Sequence, residues 1–321
     1  MAPILSVEHL RISFSHRAGT IEAVDGVSLA VAPAECVGIV GESGAGKTQV
    51  FMAVMGLLAG TAQASGSVRF EGNELLAADV QALNRVRGSK LTMIFQDPMT
   101  SLTPHLQIGT QLAEVMVAHL GMRWKDAWGC AARMLERVHV PDPKRRLRQY
   151  PHELSGGMRQ RVMIAMSLLC NPSFVIADEP TTALDVTIQA QIIELLRAVR
   201  GEFGVGLVLI SHDLAVVAGL ADRILVMYAG SVVENALAEE LFRHPRHPYT
   251  AELLKCIPSI SGARLARLPT LVGQPPRAGE VLEACRFAPR CPRAADRCRI
   301  ERPQLAGSSS SQVACHFPLN T

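Results

Sequence analysis

The octapeptide Gly41-Glu-Ser-Gly-Ala-Gly-Lys47-Thr48 fits the pattern G-x-x-x-x-G-K-[ST]. It follows Cys36-Val-Gly-Ile-Val40, an apolar run too short for a helix, and precedes a helix-type stretch from Gln49 to Leu58. Gly41, Gly44 and Gly46, interleaved with Glu42, Ser43 and Ala45, let the backbone curl so that successive N–H groups of the loop point at phosphate oxygens. The following helix adds its positive N-terminal end. Lys47 supplies a point charge for the outer phosphates, and Thr48 a hydroxyl for Mg²⁺. A chance glycine-rich turn is the alternative; the flanking strand and helix argue against it.

Two further clusters suit the same chemistry. Phe174-Val-Ile-Ala-Asp178-Glu179 is an apolar strand ending in two carboxylates. In a parallel α/β sheet ligands sit at the carboxyl ends of strands. Asp178 is therefore expected to reach the Mg²⁺ shell, and Glu179 a water in line with the γ-phosphate. Alone, such a pair reads as a solvated acidic turn. Leu154-Ser155-Gly156-Gly157-Met158 starts a helix with glycines and a capping-type serine. Its N–H groups and dipole make a second anion site; by itself it is only a helix cap.

Cys285, Cys291, Cys298 and Cys315 stand as C-x5-C-x6-C-x16-C. Four thiolates suit zinc or an iron–sulfur cluster. Zinc ribbons usually show tighter cysteine pairs, and the wider spacing favours the larger centre; free thiols or an adventitious disulfide are the remaining readings. Arg286, Arg290, Arg293, Arg297, Arg299 and Arg302 crowd the same stretch and are expected to offset the thiolate charge. His316 reads as a surface residue rather than a spare ligand. Cys36, Cys130, Cys170 and Cys256 read as small core residues. The phosphate loop lies far away along the chain, so ATP binding is expected to be independent of this site.

These residues need elements to hold them. Ile4–Val7, Leu10–Phe14 and Val27–Val31 alternate as strands. Val68–Phe70, Leu91–Phe95 and Val205–Ile210 read as further strands, Ile188–Val199 as a helix, and Met158–Leu169 as a buried one. The stretch from about Ile108 to Val138 reads as a helical insert, and Ile224–Tyr228 with Ser231–Glu234 as a hairpin. Prolines at 245, 248, 258, 269, 275, 276, 289, 292 and 303 mark a separate loop-rich tail, in which Ser308–Ser311 reads as a flexible loop. The expected fold is α/β: a P-loop ATPase domain over 1–245, with a mixed sheet and a helical insert at about 105–155, then a cysteine-containing region over 246–321.

Composition sets the outer bounds. The chain has 321 residues, enough for a sizeable core, and 48% are hydrophobic. Its net charge of +3 excludes a protein built on a strong global field, such as a histone-like nucleic-acid binder. The start lacks the pattern of a signal peptide. No run approaches the roughly 18 apolar residues needed to span a bilayer. The chain therefore reads as cytosolic, where structural disulfides are uncommon.

Taken together, the motifs resemble those of an ABC transporter ATPase subunit, and nearly the whole length resembles the branch serving dipeptide, oligopeptide and nickel importers. The phosphate loop is Walker A; Gln96, in Ile94-Phe-Gln-Asp-Pro98, is the Q-loop glutamine; Leu154–Met158 is the signature. Walker B ends in Asp178 and Glu179, the D-loop is Ala183-Leu-Asp185, and His212, in Ser211-His-Asp213, is the switch histidine. The branch shows in Gln96–Leu102, Thr181–Thr187, His247-Pro-Tyr-Thr250 and the cysteine tail; Thr103 departs from the family's usual asparagine.

The resemblance implies Glu179 as general base, His212 at the γ-phosphate, and Gln96 at Mg²⁺ or the attacking water, coupling to membrane subunits. Phe14 is the candidate for stacking on adenine, with a core phenylalanine as the other reading. Ser155, Gly156 and Gly157 would close over ATP held by a partner, head to tail. The implied partners are a second, related ATPase chain, two transmembrane permeases and an extracytoplasmic solute-binding protein, with no nucleic acid. The implied cofactors are ATP, Mg²⁺ and a [4Fe–4S] cluster, with Zn²⁺ as the alternative. The implied location is the cytoplasmic face of the inner membrane. A nickel importer ATPase, a soluble ABC ATPase of DNA repair or translation, and a redox-sensing ATPase are the rival functions.

Overall fold

The computed structural model describes residues 2–16, 19–182, 184–257, 271–276, 284–308 and 310–319. Its strands are β1 (Leu5–His16), β2 (Gly19–Val31), β3 (Cys36–Val40), β4 (Ala62–Phe70), β5 (Asn73–Glu74), β6 (Leu91–Ile94), β7 (Phe174–Asp178), β8 (Gly206–Ser211), β9 (Arg223–Tyr228), β10 (Ser231–Leu237), β11 (Ala306–Ser308) and β12 (Ser311–Val313). They fall into two compact units.

One unit is built on Ala77–Ile210 with two short earlier pieces. Its strands β6, β7 and β8 run parallel in that order, with Asp178 opposite Ile210 at their carboxyl end. Both β7 and β8 are buried along their whole length, as expected of strands covered on both faces. The helical insert is two helices, Ile108–Leu120 and Trp124–Arg137. The first ends on Gly121 at φ 63, a left-handed cap that closes the turn between them. Helix Gly156–Leu168 buries Val162, Ile164 and Ala165.

The other unit joins Leu5–Val31, Cys36–Leu76 and the chain from Ser211 onward. It holds an antiparallel sheet in the order β2-β1-β4-β5. It also contains β3 parallel to β9, and β10 antiparallel to both β9 and β12.

Several sequence expectations are corrected. Ile4–Val7 and Leu10–Phe14 form one strand, β1, whose pairing slips between Val7 and Leu10, where His9 takes φ 49. The irregularity breaks the alternation and so looks like a gap in the sequence. Ser308 and Ser311, the ends of the serine run, are paired strand residues of β11 and β12 rather than loop; Ser309 lies outside the described residues. Only Cys36 among the four isolated cysteines is buried; Cys130, Cys170 and Cys256 are half-buried. Pro258, Pro269 and Ala183 also lie outside the described residues. No helix among those described is long and apolar enough to cross a membrane.

Candidate ATP site and cysteine site

The phosphate loop joins β3 to helix Lys47–Val54. Gly46 sits at φ 88, and a Cβ there would meet the Ala23 carbonyl oxygen at 2.4 Å. No L side chain fits that backbone or that space. Lys47 is buried, and its ammonium donates to the carbonyls of Gly41 at 2.7 Å and Glu42 at 3.0 Å across the loop. Thr48 and Glu42 are half-buried, and Ser43 and Gly44 are exposed. A cavity of about 230 Å³ opens beside the loop, lined by Ile21, Ser43, Gly44, Ala45 and, from the tail, Pro275 and Arg286. Phe14 pairs with Ile21 and is half-buried, outside the hydrophobic core. His212 is exposed just after β8, and Asp213 caps the next helix by accepting from Ala215 N–H.

The second set of expected residues belongs to the other unit. Asp178 is buried at the end of β7. Glu179 follows at φ 45, a left-handed backbone that a glutamate adopts only under constraint. Its N–H donates to the Ile210 carbonyl, and its carboxylate accepts from Gln96 Nε2 at 3.1 Å and Thr182 Oγ1 at 2.8 Å. The structure thus brings Gln96 and Glu179 together across 83 residues. Strained backbone held by its neighbours clusters at functional sites. Thr182 was not assigned a role from sequence, although it lies within Thr181–Thr187.

Ser155 caps helix Gly156–Leu168 by accepting from Met158 N–H at 3.4 Å, and Asp185 caps helix Val186–Phe203 through Ile188 N–H. Both capping residues are exposed. A Cβ on Gly156 would make ordinary contact with Leu184 at 3.7 Å, so nothing within the unit forbids a side chain there.

The tail is stitched to β10 by β12, and Phe287 is buried against the rings of Tyr228, Tyr249 and His247. Cys285, Cys291, Cys298 and Cys315 line one small cavity with His316 and Phe317. Burial pushes the thiols of Cys285, Cys291 and Cys315 up. Among the described residues no group of three or more His, Cys, Asp or Glu is placed to hold a metal ion. The structure does not bear out the expected iron–sulfur centre; it shows that the four cysteines share the lining of one cavity.

The arginines also differ from expectation. Arg286 pairs with Asp25 at 2.6 Å, Arg302 also pairs with Asp25, and Arg290 pairs with Glu42. Arg297 pairs with Glu301. These four charges are committed to carboxylates, whereas Arg293 favours the Cys291 thiolate as expected.

Loop, strand ends and caps define a P-loop nucleotide-binding protein. The ABC transporter family pattern matches residues 24–182, and that of the oligopeptide/dipeptide transporter C-terminal region matches 233–298. An oligopeptide transport ATP-binding protein of Haemophilus influenzae is 46% identical over 98% of this chain and 96% of its own. That of Salmonella typhimurium is 46% identical over 98% and 94%. The solved ATP-binding cassette MJ0796, bound to ADP and Pi, is 26% identical with TM-score 0.66, covering 73% of this chain and 98% of its own. The chain belongs to the ABC transporter ATP-binding proteins, in the branch that carries the oligopeptide/dipeptide transporter C-terminal region. It is an ABC-type ATPase.

Proposed function

We propose that this chain is the ATP-hydrolysing subunit of an ABC importer for di- and oligopeptides. The observation that carries the reading is the near full-length likeness to oligopeptide transport ATP-binding proteins, tail included. In this reading Gly41–Thr48 grips the phosphates of ATP, and Phe14 stacks on adenine. Thr48, Asp178 and Gln96 hold Mg²⁺, which neutralises charge on the transferring phosphoryl group. Glu179 accepts the proton of the attacking water, oriented by Thr182 and Gln96, and His212 senses the γ-phosphate.

One copy of each motif is half of a two-site engine. Ser155, Gly156, Gly157 and Asp185 serve ATP on a second ATPase chain, and the space over Gly156 supports this. Two permeases and an extracytoplasmic binding protein complete the importer at the cytoplasmic face of the inner membrane. In the tail, Cys285, Cys291, Cys298 and Cys315 hold a [4Fe–4S] cluster. The lining of one cavity by all four cysteines supports this reading. By holding the cluster, these four side chains would tie four positions of the tail together.

The test is ATP hydrolysis by the assembled complex in proteoliposomes. Peptide-loaded binding protein is expected to stimulate it and drive peptide uptake. Stimulation by nickel chelates and not by peptides would overturn the substrate class.

A further inference from the structure

Glu42 stands second in the phosphate loop, and its polar groups are held largely from the tail. Its carboxylate accepts a two-pronged pair from Arg290, Nη1 to Oε2 at 2.7 Å and Nη2 to Oε1 at 3.0 Å. Its N–H donates to the Tyr249 hydroxyl at 2.9 Å. Its carbonyl accepts from Lys47 Nζ. Glu42 and Arg290 are 248 residues apart.

Arg290 is itself fixed. Its side chain is 3% exposed, its Nε–H donates to the Val272 carbonyl at 3.0 Å, and its guanidinium lies 5.7 Å from the Tyr228 ring centroid. It ends the short helical turn Ala288–Arg290, which follows buried Phe287. The Cys285 N–H donates to the Cys298 carbonyl, and the Ala288 N–H to that of Cys285, so the fold of the tail sets where Arg290 points. A guanidinium fork matches a carboxylate in both distance and plane, which an ammonium does not.

A phosphate loop works through the directions of its backbone N–H groups, and its glycines leave those directions loose. Ordering the loop on binding costs affinity unless it is ordered beforehand. We propose that Arg290, assisted by Tyr249, is a positioning residue of the ATP site: the tail holds Glu42 so that the loop is already set for phosphate. The expected independence of ATP binding from the tail is thereby replaced by a direct coupling. The proposal rests on the reading of Gly41–Thr48 as the ATP loop.

The experiment uses the full chain in its complex and measures the Kd of Mg-ATP, KM and kcat. Lys47→Ala serves as the control: unchanged ATP affinity there would remove the underlying reading, whatever Arg290 does. Arg290→Met is expected to raise Kd and KM about tenfold, corresponding to about 1.4 kcal/mol, with kcat at saturating ATP little changed. Arg290→Lys restores only part of the affinity. Glu42→Gln alone weakens ATP similarly, and the double variant is no weaker than the worse single one. Tyr249→Phe, which removes a single hydroxyl, raises KM less and serves as the test if Arg290→Met does not fold. Unchanged KM in Arg290→Met, or in Tyr249→Phe where it stands in, or full additivity with Glu42→Gln, overturns the proposal.

Discussion

Glu179, the proposed general base, is held in place by its backbone and its neighbours. Its φ of 45 turns the residue away from the line of β7, and two donors, Gln96 and Thr182, fix the same carboxylate oxygen. Replacement by glutamine keeps the shape and removes the basicity. Glu179→Gln is expected to bind Mg-ATP with near-native affinity and to lose about 10²–10⁴-fold in turnover, the usual range for a general base. Single-turnover hydrolysis alongside equilibrium nucleotide binding checks it, and undiminished hydrolysis would remove the assignment. The carboxylate was legible in the sequence because a strand ended in Asp-Glu near other motifs. Thr182 was not, because a threonine in a loop carries no pattern until the fold turns it toward its partner.

At the scale of elements, short apolar strands and caps were readable, and long-range pairings were not. β3, β7 and the β9–β10 hairpin stand where their apolar runs and turn residues placed them. β1 read as two strands because the irregularity near His9 interrupts its period. The arginine-rich tail read as a counter-charge for thiolates because a sequence shows charges but not their partners, Asp25 and Glu42. Helix Pro248–Lys255 depends on such a hidden partner. Its first turn is capped by His247, whose Nδ1 accepts from Tyr249 N–H, while Glu234 accepts from the His247 N–H. Burial lowers the His247 pKa to about 3. The folded state therefore refuses a proton that the unfolded state takes up below about 6.5. The stability that a neutral His247 contributes is fully present above that pH and is lost as pH falls toward 3. Between pH 6 and 4 the wild type should lose stability more steeply with falling pH than His247→Asn, which caps without titrating. Urea unfolding across that range measures the difference, and parallel curves would place His247 in contact with water. The tail's cysteines are tested by colour: anaerobic preparations are expected to be brown, and serine at Cys285, Cys291, Cys298 or Cys315 to bleach them, whereas serine at Cys36 should not. Colourless protein with one bound zinc would exclude the cluster and keep the shared site.

For the whole molecule, the distribution of the motifs matters most. The chain has one phosphate loop and one Ser155-Gly-Gly cap. A helix N-terminus with an exposed serine and an unobstructed glycine is built to meet an anion, and Ser155 and Gly156 are both exposed. In the proposed head-to-tail arrangement that anion would be the γ-phosphate on the partner ATPase, so a lesion at the cap would act in trans. Ser155→Arg places a long side chain where the phosphate must approach. In a complex whose two nucleotide sites are resolved by trapping, it should block closure over the partner's ATP. Nucleotide on Lys47 of the same chain should bind with its original affinity. Combining Ser155→Arg with Lys47→Ala in one chain should then disable both sites, whereas splitting the two changes between the two chains should leave one site intact. A Ser155→Arg effect confined to the site that contains Lys47 would mean that the chain closes on itself. The need for a second ATPase chain would then fall with it.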